Sequence, residues 1–173
     1  KAATVYSASV CPTDYPLTAR METIPDRFWD TVCQIGEKTL RMCMHDHYED
    51  CPWREQSLYA MDTRVQILCG FYAFGEMRFP RASLELMSHS YRERDGLLEM
   101  TPPGRCSLDI PSFTAVYVRE ILEYSLYSKD LTLARQVLPV LYQIVDHFSA
   151  RIDETGLIPL YQGKEMWNFY EWR

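Results

Sequence analysis

Two short segments constrain the fold more than anything else in this chain. Arg94-Asp95-Gly96-Leu97-Leu98-Glu99-Met100 and Glu154-Thr155-Gly156-Leu157-Ile158-Pro159-Leu160 share one pattern, a polar helix end, a glycine and two branched aliphatics, with the glycines 60 residues apart. Each copy alone reads as a helix stop, because a glycine just past a helix, followed by apolar residues that fold back, ends it. Recurrence at the length of two helices plus their connections points to an array of αα-hairpins. By the same arithmetic a closed toroid of six hairpins needs roughly twice this length. The chain would then supply about half a ring. Its apolar helix faces would be uncovered, so the isolated piece is expected to self-associate or aggregate.

The rest of the pattern is all-α. Phe28, Trp29, Val32, Ile35, Leu40 and Met44 recur near a 3.6-residue period and predict a helix over residues 25–44, with Pro25 in its first turn. A second helix is expected from about Trp53 to Phe74, stopping at Gly75. A third opens at Phe79-Pro80, with Leu84, Leu86, Met87 and Tyr91 inward, and ends before Asp95-Gly96. A fourth runs from about Pro111 to Ser128, and a fifth from about Leu131 to Ile152, where Pro139 predicts a kink or an overlong first turn. No stretch alternates convincingly as a strand. Residues 1–24, punctuated by proline, read as a linker from an upstream domain, and 25–173 as the N-terminal half of the helical domain. The start, Lys1-Ala2-Ala3-Thr4, is neither an initiator methionine nor a leader peptide, and the end is aromatic, so both ends read as cut.

Composition excludes some functions. A net charge of -6 argues against nucleic-acid or anionic-membrane partners, which need basic patches. No run approaches the roughly 20 apolar residues of a membrane span. Six cysteines without a CxxC pair read as mostly reduced core residues. Arg78, Arg81, Arg92 and Arg94, interspersed with glutamates, read as a solvated face, and Tyr117, Tyr124 and Tyr127 as packing. His89 and His147, inside predicted helices, read as surface or satisfied core residues.

The densest polar cluster runs from His45 to Gln56, followed by Tyr59 and Asp62. If the second helix begins near Trp53, Glu55 and Asp62, seven apart, project within about 20° of each other, with Tyr59 between them. Such a helix looks like the wall of a polar cavity. Carboxylates suit sugar recognition, because they accept bidentate hydrogen bonds from vicinal hydroxyls, and a desolvated one can stay protonated and act as an acid. An adjacent arginine keeps one carboxylate ionised while another titrates. Trp53, Tyr59, Trp167 and Trp172 are candidates to cover sugar C–H faces. The bland alternative is a solvated, salt-bridged helix start. Cys43, His45, His47 and Cys51 are zinc-type ligands, but spacings of two, two and four match no closed finger, and the two histidines read as loop residues at the cavity rim.

Asp50-Cys51-Pro52-Trp53-Arg54-Glu55, with Asp62 seven residues further on, resembles the DCPxRE…D motif of the family-78 glycoside hydrolases, the α-L-rhamnosidases. The likeness extends to Leu40–Glu49, Ala73-Phe74-Gly75-Glu76, Ile110-Pro111-Ser112-Phe113 and the closing Phe169-Tyr170-Glu171-Trp172. It implies an (α/α)6 toroid, incomplete in this chain, and inverting removal of terminal α-L-rhamnose from glycans or glycosides. By motif position Glu55 matches the general acid. Asp50, Arg54 and Asp62 match residues that grip the sugar and tune the acid. Tyr59 stands where the family usually has tryptophan, and Trp172 matches an aromatic of the sugar pocket. Met61 replaces a common glycine, and Glu171 an aspartate; both bear on which sugar is taken. The family's catalytic base lies far downstream and has no counterpart here, so this chain alone is expected to lack turnover. A carbohydrate substrate and no cofactor are implied. The alternatives are the same fold acting on another sugar, or a non-catalytic helical-repeat module that binds a carbohydrate or a protein.

Overall fold

A computed structural model of the chain describes residues 4–11 and 13–170. Among these, five helices and one two-stranded hairpin are formed, in the order α1 (Arg27–Met42), α2 (Ala60–Phe74), α3 (Arg78–Ser88), β1 (Tyr91–Arg92), β2 (Leu97–Leu98), α4 (Pro111–Ser128) and α5 (Thr132–Ser149). The chain is mostly helical, as its periodicity predicts. Helix α4 is central: it packs on α2, α3 and α5 and against β2. Around it Leu58, Leu84, Met87, Tyr117, Ile121, Leu133 and Ile144 are fully buried. No described helix is long and apolar enough to cross a membrane.

Local chemistry explains most of the boundaries. The Asp26 carboxylate accepts from the Phe28 and Trp29 amides at 2.9 and 3.1 Å, so Asp26 caps α1 and Pro25 lies just outside it. Gly75, left-handed at φ 60°, ends α2, and Pro111 opens α4. Helix α5 runs through Pro139 without a break. Pro139 and Arg135 both face solvent, so the carbonyl that the missing N–H frees is on the solvent side of the helix. Helix α3 ends earlier than expected, because the Ser88 and Ser90 hydroxyls take the carbonyls of Glu85 and Met87 at 2.6 and 2.7 Å. Tyr91 therefore lies on β1, paired with Leu98, and not on the helix.

Neither glycine of the repeat is a helix cap. Gly96 (φ 72°) sits in the β1–β2 turn, its amide donating to the Arg92 carbonyl, and Gly156 (φ 79°) sits in a turn closed between Asp153 and Leu157. Both turns need a left-handed residue, but only Gly96 is also crowded. A β-carbon there would run into the His147 imidazole, whereas at Gly156 it meets open space. Gly96→Ala is expected to cost roughly 2–4 kcal/mol, from strain plus overlap, and Gly156→Ala only the roughly 1–2 kcal/mol of strain. Chemical denaturation of the two variants side by side checks this; equal losses would refute it.

Two further expectations are corrected. Of the six cysteines, all free, only Cys43 is buried, and burial pushes its thiol up to about 11. Arg78 and Arg94 are solvated as expected, but Arg92 is not: its side chain is 11% exposed and held by Asp95, Glu99 and Asp109. The tyrosines of α4 do pack: Tyr117 donates from the core to the Leu84 carbonyl at 3.0 Å, Tyr124 is buried, and Tyr127 stacks on Phe71. His147 bonds the Tyr161 hydroxyl at 2.8 Å. Large apolar side chains stay uncovered along α1 (Phe28, Trp29, Val32, Ile35) and α5 (Leu138, Tyr142, Val145).

Candidate active site

The stretch from Asp50 to Tyr59 is a loop, and α2 begins only at Ala60. The helix predicted from Trp53 fails for a local reason. The Asp50 amide donates to the Ser57 carbonyl at 2.9 Å, and the Asp50 carboxylate accepts from the Ser57 amide at 2.8 Å. This closes residues 50–57 into a loop, and Gln56, left-handed at φ 51°, turns the chain back. Beneath the loop, buried Glu49 pairs with His45 at 2.9 Å, and Gln66 of α2 donates to the Glu49 carbonyl at 2.6 Å. Glu55 and Asp62 therefore share no helix face.

They still meet. Asp50, Arg54, Glu55, Tyr59 and Asp62 all line one open cavity of about 350 Å³. Its other walls include Ile110 and Phe113 at the start of α4, and Trp167 and Phe169 from the segment after α5. Helices α2 and α4 run parallel, since Tyr59 meets Phe113 at their first turns and Phe71 meets Tyr127 at their last. Their N-termini thus open side by side onto the cavity. The aromatic wall is continuous: ring centroids are 6.2 Å apart from Tyr59 to Phe113, 6.3 Å from Phe113 to Phe169 and 4.8 Å from Phe169 to Trp167. Trp53, at 89% exposure, takes no part in the wall. Trp172, like Glu171, lies outside the described residues. Phe113 and Phe169 escaped the sequence reading as cavity residues, although Pro111 marks a helix start and so places Phe113 in a first turn, as Asp62 is in that of α2.

The carboxylates differ sharply. Hydrogen bonds from Arg54 (2.8 Å) and the Cys51 thiol (3.1 Å) pull Glu55 down to about 2. Asp62 moves the other way, raised by burial and by the nearby Asp50 and Glu55 charges. One acid is thus held ionised and its neighbour is pushed toward the neutral form. Asp50, Cys51 and Glu55 place ligand atoms within 4.8 Å of one another, the one such group among the described residues; Cys51 donates to Glu55, and the Asp50 carboxylate accepts from the Ser57 amide. The imagined zinc set is not gathered: His45 is committed to Glu49, and His47 to the Tyr48 carbonyl at 2.8 Å.

This fold matches solved structures. It is similar to a family-78 rhamnosidase from Bacillus sp. GL1, with a TM-score of 0.77 and 27% identity over 84% of this chain. It is also similar in fold to a rhamnosidase from Klebsiella oxytoca solved with rhamnose bound, with a TM-score of 0.73 and 21% identity over 90% of this chain. The chain spans 15% of the first of those chains and 30% of the second. No curated protein matches it. Residues 19–173 match the family described as the bacterial alpha-L-rhamnosidase 6 hairpin glycosidase domain. With that match across nearly the whole sequence, and five helices arranged as in those enzymes, the chain belongs to the bacterial α-L-rhamnosidase six-hairpin glycosidase family.

Proposed function

We propose that this chain is the acid-side half of an inverting glycosidase domain that removes terminal α-L-rhamnose. The observation that carries the reading is the cavity itself, in which three carboxylates and an arginine face an aromatic wall. In this reading Glu55 protonates the departing glycosidic oxygen, while a carboxylate elsewhere in the protein draws a proton from the water that attacks the opposite face of the sugar. Asp50, Arg54 and Asp62 hold ring hydroxyls, Tyr59 and Trp172 contribute aromatic contacts, and Trp167 and Phe169 cover the apolar C–H face. The remaining hairpins of the toroid would cover the apolar stripes of α1 and α5. No cofactor has a step to perform.

One observation favours a second reading of the acid. Asp62, not Glu55, is pushed toward the protonated form. Leaving groups separate the two. A variant lacking the true acid keeps its rate on an activated dinitrophenyl glycoside and loses it on an alkyl glycoside, whereas loss of a sugar contact slows both alike. Asp62→Asn and Glu55→Gln, assayed on both substrates in the protein at its natural full length, decide between them.

The substrate test compares p-nitrophenyl α-L-rhamnoside with a panel of other aryl glycosides. Hydrolysis confined to the rhamnoside supports the reading. Turnover confined to another sugar changes the substrate and keeps the site. A folded protein inactive on the whole panel would instead be a binding module.

A further inference from the structure

Arg92 lies on the hairpin and does not line the cavity, yet its guanidinium pairs with three carboxylates. It donates to both oxygens of Asp109 (3.0 and 2.7 Å) and, through Nε, to both oxygens of Asp95 (3.1 Å each), and it pairs with Glu99 at 3.1 Å. Asp109 is itself buried. Its main chain holds the aromatic segment: the Asp109 amide donates to the Glu165 carbonyl, and the Trp167 amide donates to the Asp109 carbonyl, both at 2.8 Å. Asp109 and Met166 form a parallel bridge. Ser112, one turn on, donates to the Phe169 carbonyl at 3.2 Å. The residue after Asp109 is Ile110, another cavity wall.

We infer that Arg92 is a positioning residue of the sugar pocket, acting through Asp109 to hold Trp167 and Phe169 in place as its aromatic wall. The bidentate fork on Asp109 fixes the direction of that side chain, and with it the backbone onto which the 165–169 segment docks. Lysine keeps the charge but not the fork, so Arg92→Lys is not a conservative change here. The hairpin is also tied to α4 by the Leu98 amide, which donates to Thr114 Oγ1 at 3.1 Å, so the hairpin and the pocket wall share one rigid support. The inference rests on reading this cavity as the glycoside site.

The test uses the full-length protein and three variants. Arg92→Lys and Asp109→Asn break the fork, and Asp95→Asn removes another carboxylate from the same arginine without touching the 165–169 segment. Amide hydrogen exchange is read at Asp109 and Trp167, and kcat and KM on the rhamnoside alongside. Arg92→Lys and Asp109→Asn are expected to speed exchange at both amides at least about tenfold and to raise KM roughly tenfold with kcat within about twofold, because an aromatic wall supplies uniform binding. Asp95→Asn should leave both readouts near wild type. Unchanged protection at Trp167 in Arg92→Lys, or equal loss in Asp95→Asn, overturns the inference, as does a fall in kcat at constant KM. Wild-type protein that hydrolyses no glycoside would sink the proposed activity instead, while the exchange pattern still decides whether Arg92 holds the wall.

Discussion

Glu55→Gln in the full-length protein is expected to lower kcat/KM on an alkyl α-L-rhamnoside by roughly 10²–10⁴, with little loss on a substrate whose leaving group needs no proton. The amide keeps the shape of the side chain and cannot donate an acidic proton, so the loss reports proton transfer and not packing. The pH profile carries a sharper expectation. A general acid works while protonated, yet Arg54 and the Cys51 thiol hold Glu55 down to about 2. While that pair persists, Glu55 is ionised at neutral pH, the wrong state for the role proposed for it. In the proposed mechanism the substrate draws Arg54 away and lets the carboxyl rise, and at 83% exposure the Arg54 side chain is open to solvent. Arg54→Met should therefore let the Glu55 carboxyl rise and move the high-pH limb of kcat/KM upward, even as binding weakens. A limb that stays put in Arg54→Met would show that Glu55 is not the group titrating.

Glu120→Gln is expected to stabilise the protein at neutral and higher pH, and the gain should grow with pH. Glu120 is 2% exposed on α4, and neither of its carboxylate oxygens has a hydrogen-bond partner. Burial raises its pKa well above the usual value; Arg64 opposes the rise and Glu123 adds to it. Arg64 is already committed to Glu123, at 2.9 and 2.7 Å. The sign follows from proton binding. Above about 4.5, where an unfolded Glu120 ionises, the folded protein holds one more proton than the unfolded chain. Stability then falls as pH rises, by about 1.4 kcal/mol per unit, until the folded carboxyl itself ionises. The advantage of the variant over wild type should therefore widen from about pH 4.5 upward, until the folded carboxyl itself ionises. Glu123 and Asp95, both lowered, contribute stability that is lost as pH falls, so the quantity to read is the difference between variant and wild type. Urea denaturation across this range measures it, and parallel curves for the two proteins would rule the effect out.

Much of the helical frame was legible without coordinates, because its determinants are local. Gly75 ends α2, Pro111 opens α4, and the apolar spacing of α4 carries its full length, each within a few residues of the feature it controls. Asp50, Arg54, Glu55 and Asp62 pointed to one site by residue type, and they do line one cavity. The route by which they do so was not legible. Seven-residue spacing suggested a shared helix face, whereas the Asp50–Ser57 pairing and left-handed Gln56 make a loop that brings Glu55 to Asp62 through space. The repeat was legible as a pattern, yet its glycines serve turns, one of them crowded by His147 from a helix about fifty residues away. Arg92 and Glu120 show the same division from the other side. Nothing in their neighbours along the chain marks one as a buried fork and the other as an unpaired buried acid. The sequence by itself determined the helical frame, including the end of α2 and the start of α4, and which residues are candidates for the chemistry, since these depend on backbone and side-chain properties of a few adjacent residues. Tertiary structure alone decided which charges are buried, which are paired and which carboxyl is held ionised, because solvation and Coulomb energy depend on distance in space and not on separation along the chain.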